Sequence, residues 1–159
     1  MKLTPDRVVA EYEFVRSRPI APLITDVRER LAVAFDTTVE SVSSEQYRAA
    51  VDEVFEDGDL AVNIAALVAL LRDLDVEADY PGFIVDELLG RELAAAIAGG
   101  QPLATLAQAT FHVADVYHHP DGTAGHDDLD AALAAGFQTR LPGWEWTETG
   151  SPFAIDTDP

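Results

Sequence analysis

The chain of 159 residues has no cysteine. Without thiols it cannot form disulfides, a thiolate zinc site, an iron–sulfur cluster or a cysteine nucleophile. It also lacks a Gly-x-Ser-x-Gly nucleophile motif, a glycine-rich phosphate cradle and a dinucleotide fingerprint. Because these absences remove the enzyme classes that are easiest to detect in a sequence, we expect a non-catalytic protein.

Long hydrophobic runs are missing as well. The most apolar stretch, Leu60–Leu71, is interrupted by Asn63 and flanked by acidic residues. Its length of about 12 residues falls short of the roughly 18–20 that cross a bilayer. No apolar segment follows the basic start of the chain, so no secretory signal is indicated. The sequence predicts a cytoplasmic protein that does not bind membranes.

Basic residues are scarce, and the 29 acidic residues against 10 Lys and Arg give a net charge of −19. Residues 1–30 sum to +1, residues 31–139 to −17 and residues 140–159 to −3. Such a surface repels phosphates, so nucleic acid is not an expected partner. Two interpretations of the acidity stay open: the composition of a salt-adapted or high-GC host, and a surface that attracts a basic protein.

Helical periodicity dominates the rest of the sequence. Thr4 followed by Pro5 indicates a helix start, and Ser43 with Gln46 three residues later indicates a capping box. Asp59 is a further candidate cap. About six to seven amphipathic segments follow one another with short turns and no convincing strand pair. An all-α, single-domain bundle is therefore predicted.

The apolar stripes of two predicted helices bear on function. The first helix is expected to use Val8, Val9, Tyr12 and Val15, with Phe14 as an alternative to Val15. A later helix, opened by Tyr80-Pro81-Gly82, carries Phe83, Ile84, Leu88, Leu89, Leu93 and Ile97. These stripes are the predicted inward surfaces of their helices.

The domain division follows from where the periodicity stops. Residues 1–137 are predicted to form the helical domain, and residues 138–159 an irregular, extended C-terminal tail. The tail holds both tryptophans, Trp144 and Trp146, and large aromatic side chains favour burial. We therefore expect the tail to dock in part on the helices.

All four histidines lie between residues 112 and 126. His112, Asp115 and His119 fall on one helical stripe, and His126 follows a turn that could fold back toward it. Imidazole and carboxylate groups at this spacing could hold zinc, manganese or iron. The alternative is a solvated face near a helix C-terminus. We expect no organic cofactor, with a divalent metal ion as an alternative.

Four acidic residues cluster at one predicted helix end and are the candidate contact residues for a partner: Glu53, Glu56, Asp57 and Asp59. The favoured function is a non-catalytic, inhibitor- or immunity-type protein that binds a basic protein. The alternatives are a metal-binding protein or metal-dependent hydrolase that uses the cluster from His112 to His126, and a structural or assembly component whose acidic surface is a salt adaptation. A homo-oligomer would favour the last of these.

The arginines near the N-terminus have two interpretations. Arg16, Arg18, Arg28 and Arg30 flank the first inter-helix connector and could meet an anionic group. The alternative is that they pair with acidic residues of the same chain.

Overall fold

The computed structural model describes residues 1–117, 126–144 and 155. These residues form seven α-helices and one short 3₁₀ helix, without a strand, so the all-α bundle is confirmed. The helices are α1 (Pro5–Ser17), α2 (Ala21–Ala34), α3 (Ser44–Glu56), α4 (Gly58–Asp73), α5 (Asp79–Ala98), α6 (Leu103–Tyr117) and α7 (His126–Phe137), followed by the 3₁₀ helix Gln138–Arg140.

Caps place the helix starts close to where the sequence predicts them. The Thr4 hydroxyl accepts a hydrogen bond from the Arg7 amide at 3.1 Å, and Pro5 occupies the first turn of α1. Ser43 and Gln46 form the reciprocal capping box of α3. The expected cap of α4 was wrong. Asp57 caps that helix, because α3 ends at Glu56 and leaves only Asp57 outside both helices.

Helices α5, α6 and α7 pack closely against one another. A Cβ on Gly90 of α5 would lie 2.5 Å from the Phe111 ring of α6. A Cβ on Gly136 of α7 would lie 2.7 Å from the Ile97 Cβ of α5. Real Cβ atoms do not approach other atoms this closely. The three helices can therefore pack in contact because glycine has no side chain at these two positions.

The N-terminal helices form the other half of the bundle, in which α1 packs on α3 and α4. The fully buried Glu11 of α1 joins α1 to α4. Its carboxylate accepts from the Arg7 Nε at 2.6 Å and from the Arg72 Nη1 of α4 at 2.8 Å. Periodicity does not predict a buried glutamate here, since the apolar stripe of α1 lies beside it.

The chain after α7 returns to the bundle. Trp144 is fully buried, and its indole Nε1 donates to the backbone and side-chain oxygens of Gln138 at 3.2 and 3.1 Å. The Arg28 guanidinium lies over the Trp144 ring. Trp146 lies outside the described residues, and the division of the chain at residues 137 and 138 stays a prediction.

Two predicted apolar stripes are only partly buried. In α1, Val15 is buried whereas Val9 is 53 % exposed. In α5, Leu93 and Ile97 are buried, but the outer side of the N-terminal half carries exposed apolar residues. Tertiary packing, not periodicity, decides which of several apolar residues face the core. In the described part of the chain, no helix combines the length and apolarity needed to span a membrane.

Candidate functional site

The four predicted contact residues lie together at the junction of α3 and α4. Glu53 and Glu56 are on the last turns of α3, Asp57 is the residue between the helices, and Asp59 is in the first turn of α4. All four are exposed, and none forms an ion pair with another described residue. We call these four residues the acidic corner.

Asp57 fixes the shape of the acidic corner. It is both the C-cap of α3 and the N-cap of α4. Its Oδ1 accepts from the amides of Asp59 at 3.1 Å and Leu60 at 3.2 Å. A carboxylate in this position satisfies free amides and interacts favourably with the positive end of the α4 dipole. The negative charges are therefore held on a rigid turn.

A groove of about 430 Å³ between α1 and α3 adjoins the acidic corner. The residues that line this α1/α3 groove are Val8, Val9, Tyr12, Asp52, Phe55 and Glu56. Its floor is apolar: the Tyr12 and Phe55 rings pack with their centroids 5.3 Å apart. Glu56 belongs to both features, so the groove and the acidic corner form one continuous surface.

Asp52, on the rim of the groove, is engaged within the chain. It accepts from the Arg16 Nε at 2.9 Å and from the Tyr12 hydroxyl at 2.5 Å. The hydrogen bond from Arg16, followed by that from Tyr12, lowers the pKa of the Asp52 carboxyl. Asp52 therefore orders the groove wall, while Glu56 remains without an ion-pair partner.

Three arginines near the N-terminus form hydrogen bonds with other residues of the same chain. Arg16 pairs with Asp52, and Arg18 donates to Asp130 at 2.9 and 2.8 Å. Arg28 donates to the carbonyl oxygens of Leu141 and Pro142. Because these arginines bond to other parts of the chain, they do not neutralise the carboxylates of the acidic corner.

Only some of the predicted metal-ligating residues lie within the described part of the chain. His112 lies on the exposed side of α6, and Asp115 is half-buried one turn further. His119 lies outside the described residues, and His126 is described only as the first residue of α7. Within the described residues no group of three or more His, Asp or Glu side chains could hold a metal ion.

The structure reveals a carboxyl cluster that sequence reasoning did not assemble. Asp86 of α5, Asp115 of α6 and Asp128 of α7 lie within interaction range, and Asp86 and Asp128 are buried. Burial, and then the neighbouring Asp115 and Asp86, raise the pKa of Asp128 to about 8. Burial also raises the pKa of Asp86. Asp128 therefore holds its proton at neutral pH.

The signal for this cluster was present in part. The turn before His126 could fold back toward Asp115 and so bring the start of α7 near that residue, whereas Asp86 was not among the predicted site residues. Gly82, Asp86 and Gly90 recur every four residues, and this stripe is the inward side of α5. Small residues at helical spacing indicate a close helix contact, and the acid between them shares that face.

Together the helical fold and the acidic surface define a compact all-α protein with a candidate binding surface and, within the described residues, no assembled metal site. A family model described as "Domain of unknown function (DUF7984)" matches residues 1–157. The chain belongs to this family. No curated protein and no solved structure matches the chain.

Proposed function

We propose that this protein binds a basic, partly apolar segment of a partner protein on the surface formed by the acidic corner and the α1/α3 groove. One observation carries the proposal: carboxylates without ion-pair partners lie directly beside an exposed groove with an apolar floor. Arginine or lysine would meet the acidic corner, and an aliphatic or aromatic side chain would cover Val9 and Phe55. Such binding is that of an inhibitor- or immunity-type protein.

The charges explain why a basic partner is favoured over an acidic or neutral one. At net −19, long-range attraction raises the association rate for a cation and lowers it for an anion. Exposed charge pairs alone contribute little affinity, so the apolar floor of the groove supplies the contact that holds the complex.

The test uses two synthetic peptides, one of arginine and leucine and one with glutamate in place of arginine. Isothermal titration at physiological ionic strength, where exposed charges more than about 8 Å apart are largely screened, should show binding of the first peptide only. Replacing Glu53 and Glu56 by lysine should weaken it at least about tenfold, which corresponds to about 1.4 kcal/mol. Val9→Asp should weaken it as well, because the groove floor then carries a charge that has to be desolvated.

A matched control separates this site from net charge. Asp26 and Glu29 are exposed acids of α2, and replacing both by lysine changes the net charge by the same amount. We expect this variant to bind within about threefold of the wild type, because distant charges are screened. Equal losses in the α2 and α3 variants would show that binding is non-specific and would refute the proposal.

A further inference from the structure

A second cavity, of about 500 Å³, lies where the end of α1 meets the start of α3. Its volume is within the range of pockets that take small molecules. Three arginines line it: Arg16 and Arg18 from the end of α1, and Arg48 from the first half of α3. We call this cavity the arginine pocket. Because the whole chain has only 10 Lys and Arg, the arginine pocket holds a large share of its positive charge.

Two of these arginines are oriented by carboxylates that do not line the pocket. Arg16 donates to Asp52 through Nε at 2.9 Å and Nη2 at 3.4 Å. Arg18 donates to Asp130 through Nε at 2.9 Å and Nη2 at 2.8 Å. A guanidinium has five N–H donors, so a two-point ion pair leaves the Nη1 donors for another acceptor. The two ion pairs therefore fix both guanidinium groups without using all of their donors.

Arg48 is not engaged by the described part of the chain. It is half-buried and forms no ion pair with another described residue. Ser44, four residues before it on α3, also lines the pocket and brings a hydroxyl donor. Glu13, which is exposed, is the one acid among the described lining residues. Three cations therefore meet a single carboxylate here, although the net charge of the chain is −19.

We propose that the arginine pocket binds the phosphate group of a small phosphorylated molecule. Arginine binds phosphate through pairs of parallel N–H···O bonds, and a phosphate monoester presents three strong acceptor oxygens. A carboxylate has two oxygens in one plane, so it would engage fewer of the three guanidinium groups. A long polyanion is disfavoured, because the acidic surface outside the pocket would repel its other charges.

The arginine pocket and the α1/α3 groove are separate cavities that share one ion pair as a wall. Arg16 lines the pocket, and its partner Asp52 lines the groove. The pocket is expected to take an anion and the groove a cationic segment. The two proposals therefore rest on different residues and opposite charges, and the failure of one would leave the other standing.

Isothermal titration with phenyl phosphate, at constant ionic strength in a chloride buffer of about pH 7.5, tests the proposal. A phosphate monoester carries close to two negative charges at this pH. The wild type should bind one phenyl phosphate per chain. The dicarboxylate phthalate, which has the same charge but planar acceptor groups, should bind at least about tenfold more weakly.

Arg48→Gln should weaken the binding of phenyl phosphate at least about tenfold, because it removes one charged donor group from the pocket. It leaves the ion pairs of Arg16 and Arg18 in place. Arg91→Gln is the matched control, since Arg91 is exposed on α5 and does not line the pocket. This control should bind within about twofold of the wild type, because exposed charges outside the pocket are screened.

A variant with the opposite effect makes the test independent of any loss of folding. Glu13→Gln removes the repelling carboxylate and should tighten the binding of phenyl phosphate about threefold. Glu92→Gln, at an exposed site of α5, makes the same change in net charge and should leave the affinity unchanged. Circular dichroism verifies that each variant keeps its helical content.

Three results would overturn the phosphate site. They are the absence of saturable binding by the wild type, equal losses in Arg48→Gln and Arg91→Gln, and equal affinities for phenyl phosphate and phthalate. A Glu13→Gln variant that binds no more tightly than Glu92→Gln would show that the phosphate lies outside the arginine pocket.

Discussion

The guanidinium carbon of Arg28 lies 5.2 Å from the ring centroid of Trp144, and both side chains are buried. The same guanidinium donates to the carbonyl oxygens of Leu141 and Pro142. Burial lowers the pKa of Arg28 to about 10, so the group is still charged at neutral pH. One arginine of α2 therefore holds the segment after α7 by cation–π and hydrogen-bond contacts.

Trp144→Ala is expected to lower the free energy of unfolding by about 3–5 kcal/mol, because it removes a fully buried aromatic side chain and leaves a cavity. Arg28 would also lose the ring that it covers. Urea unfolding followed by circular dichroism measures the change. Val33→Ala, at an exposed position, should change the unfolding free energy by less than about 0.5 kcal/mol. A similar value for both variants would contradict the burial of Trp144.

Gly90→Ala is expected to destabilise the protein by about 1–3 kcal/mol, because the added methyl group would overlap the Phe111 ring. Gly100→Ala is the matched control, since a Cβ there would meet no atom within 4 Å. Thermal and urea unfolding of both variants provide the comparison. Should Gly90→Ala prove as stable as Gly100→Ala, α5 and α6 are not in the close contact described.

Glu11→Ala is expected to lower the free energy of unfolding by about 2–3 kcal/mol. This is a small loss for the breaking of a buried ion pair, because Arg7 and Arg72 are partly exposed. Arg72 then loses its acceptor on α1, whereas Arg7 keeps its hydrogen bonds to Asp73 of α4 at 3.0 Å. Glu13→Ala is the control on the same helix, where the carboxylate is exposed. Chemical unfolding of the two variants should separate them clearly, and equal midpoints would argue against a structural role for Glu11.

The raised pKa of Asp128 predicts a pH dependence of stability. An unfolded aspartate has a pKa of about 3.9, so between roughly pH 4 and pH 8 the folded state binds more protons than the unfolded state. The free energy of unfolding should therefore fall as the pH rises through this interval. The stabilisation from Asp128 protonation is complete below pH 4 and is lost above pH 8.

Asp128→Asn removes this contribution, because the amide stays neutral at every pH and can still donate to Asp115 or Asp86. We expect the variant to show a flatter pH profile and to be more stable than the wild type at pH 8. Urea midpoints at several pH values measure both effects. Glu92→Gln, at an exposed site of α5, should follow the wild-type profile. Parallel profiles for wild type and Asp128→Asn would contradict a protonated Asp128.

The elements of the fold were predictable because their signals are local. Thr4, Ser43 and Gln46 mark helix starts through contacts within four residues, and these predictions are confirmed. The exposure of Val9 and Ile84 was not predictable, since it depends on which neighbours arrive from distant parts of the chain. The acidic corner was found because its residues are close in sequence.

The carboxyl cluster shows the opposite case. Asp86, Asp115 and Asp128 come from three helices, and only the close packing permitted by Gly90 and Gly136 brings those helices together. A single sequence gives no direct measure of such distances. The metal-ligand hypothesis for His112 and Asp115 and the partner hypothesis for the acidic corner both stay predictions.

The double role of Asp57, which ends one helix and begins the next, has a consequence for recognition. Its side chain already accepts hydrogen bonds from two amides, so the turn loses little conformational entropy when a partner binds to it. The entropy lost on binding a cation would therefore come mainly from the cation's own side chain, because the carboxylates of the turn are already in place.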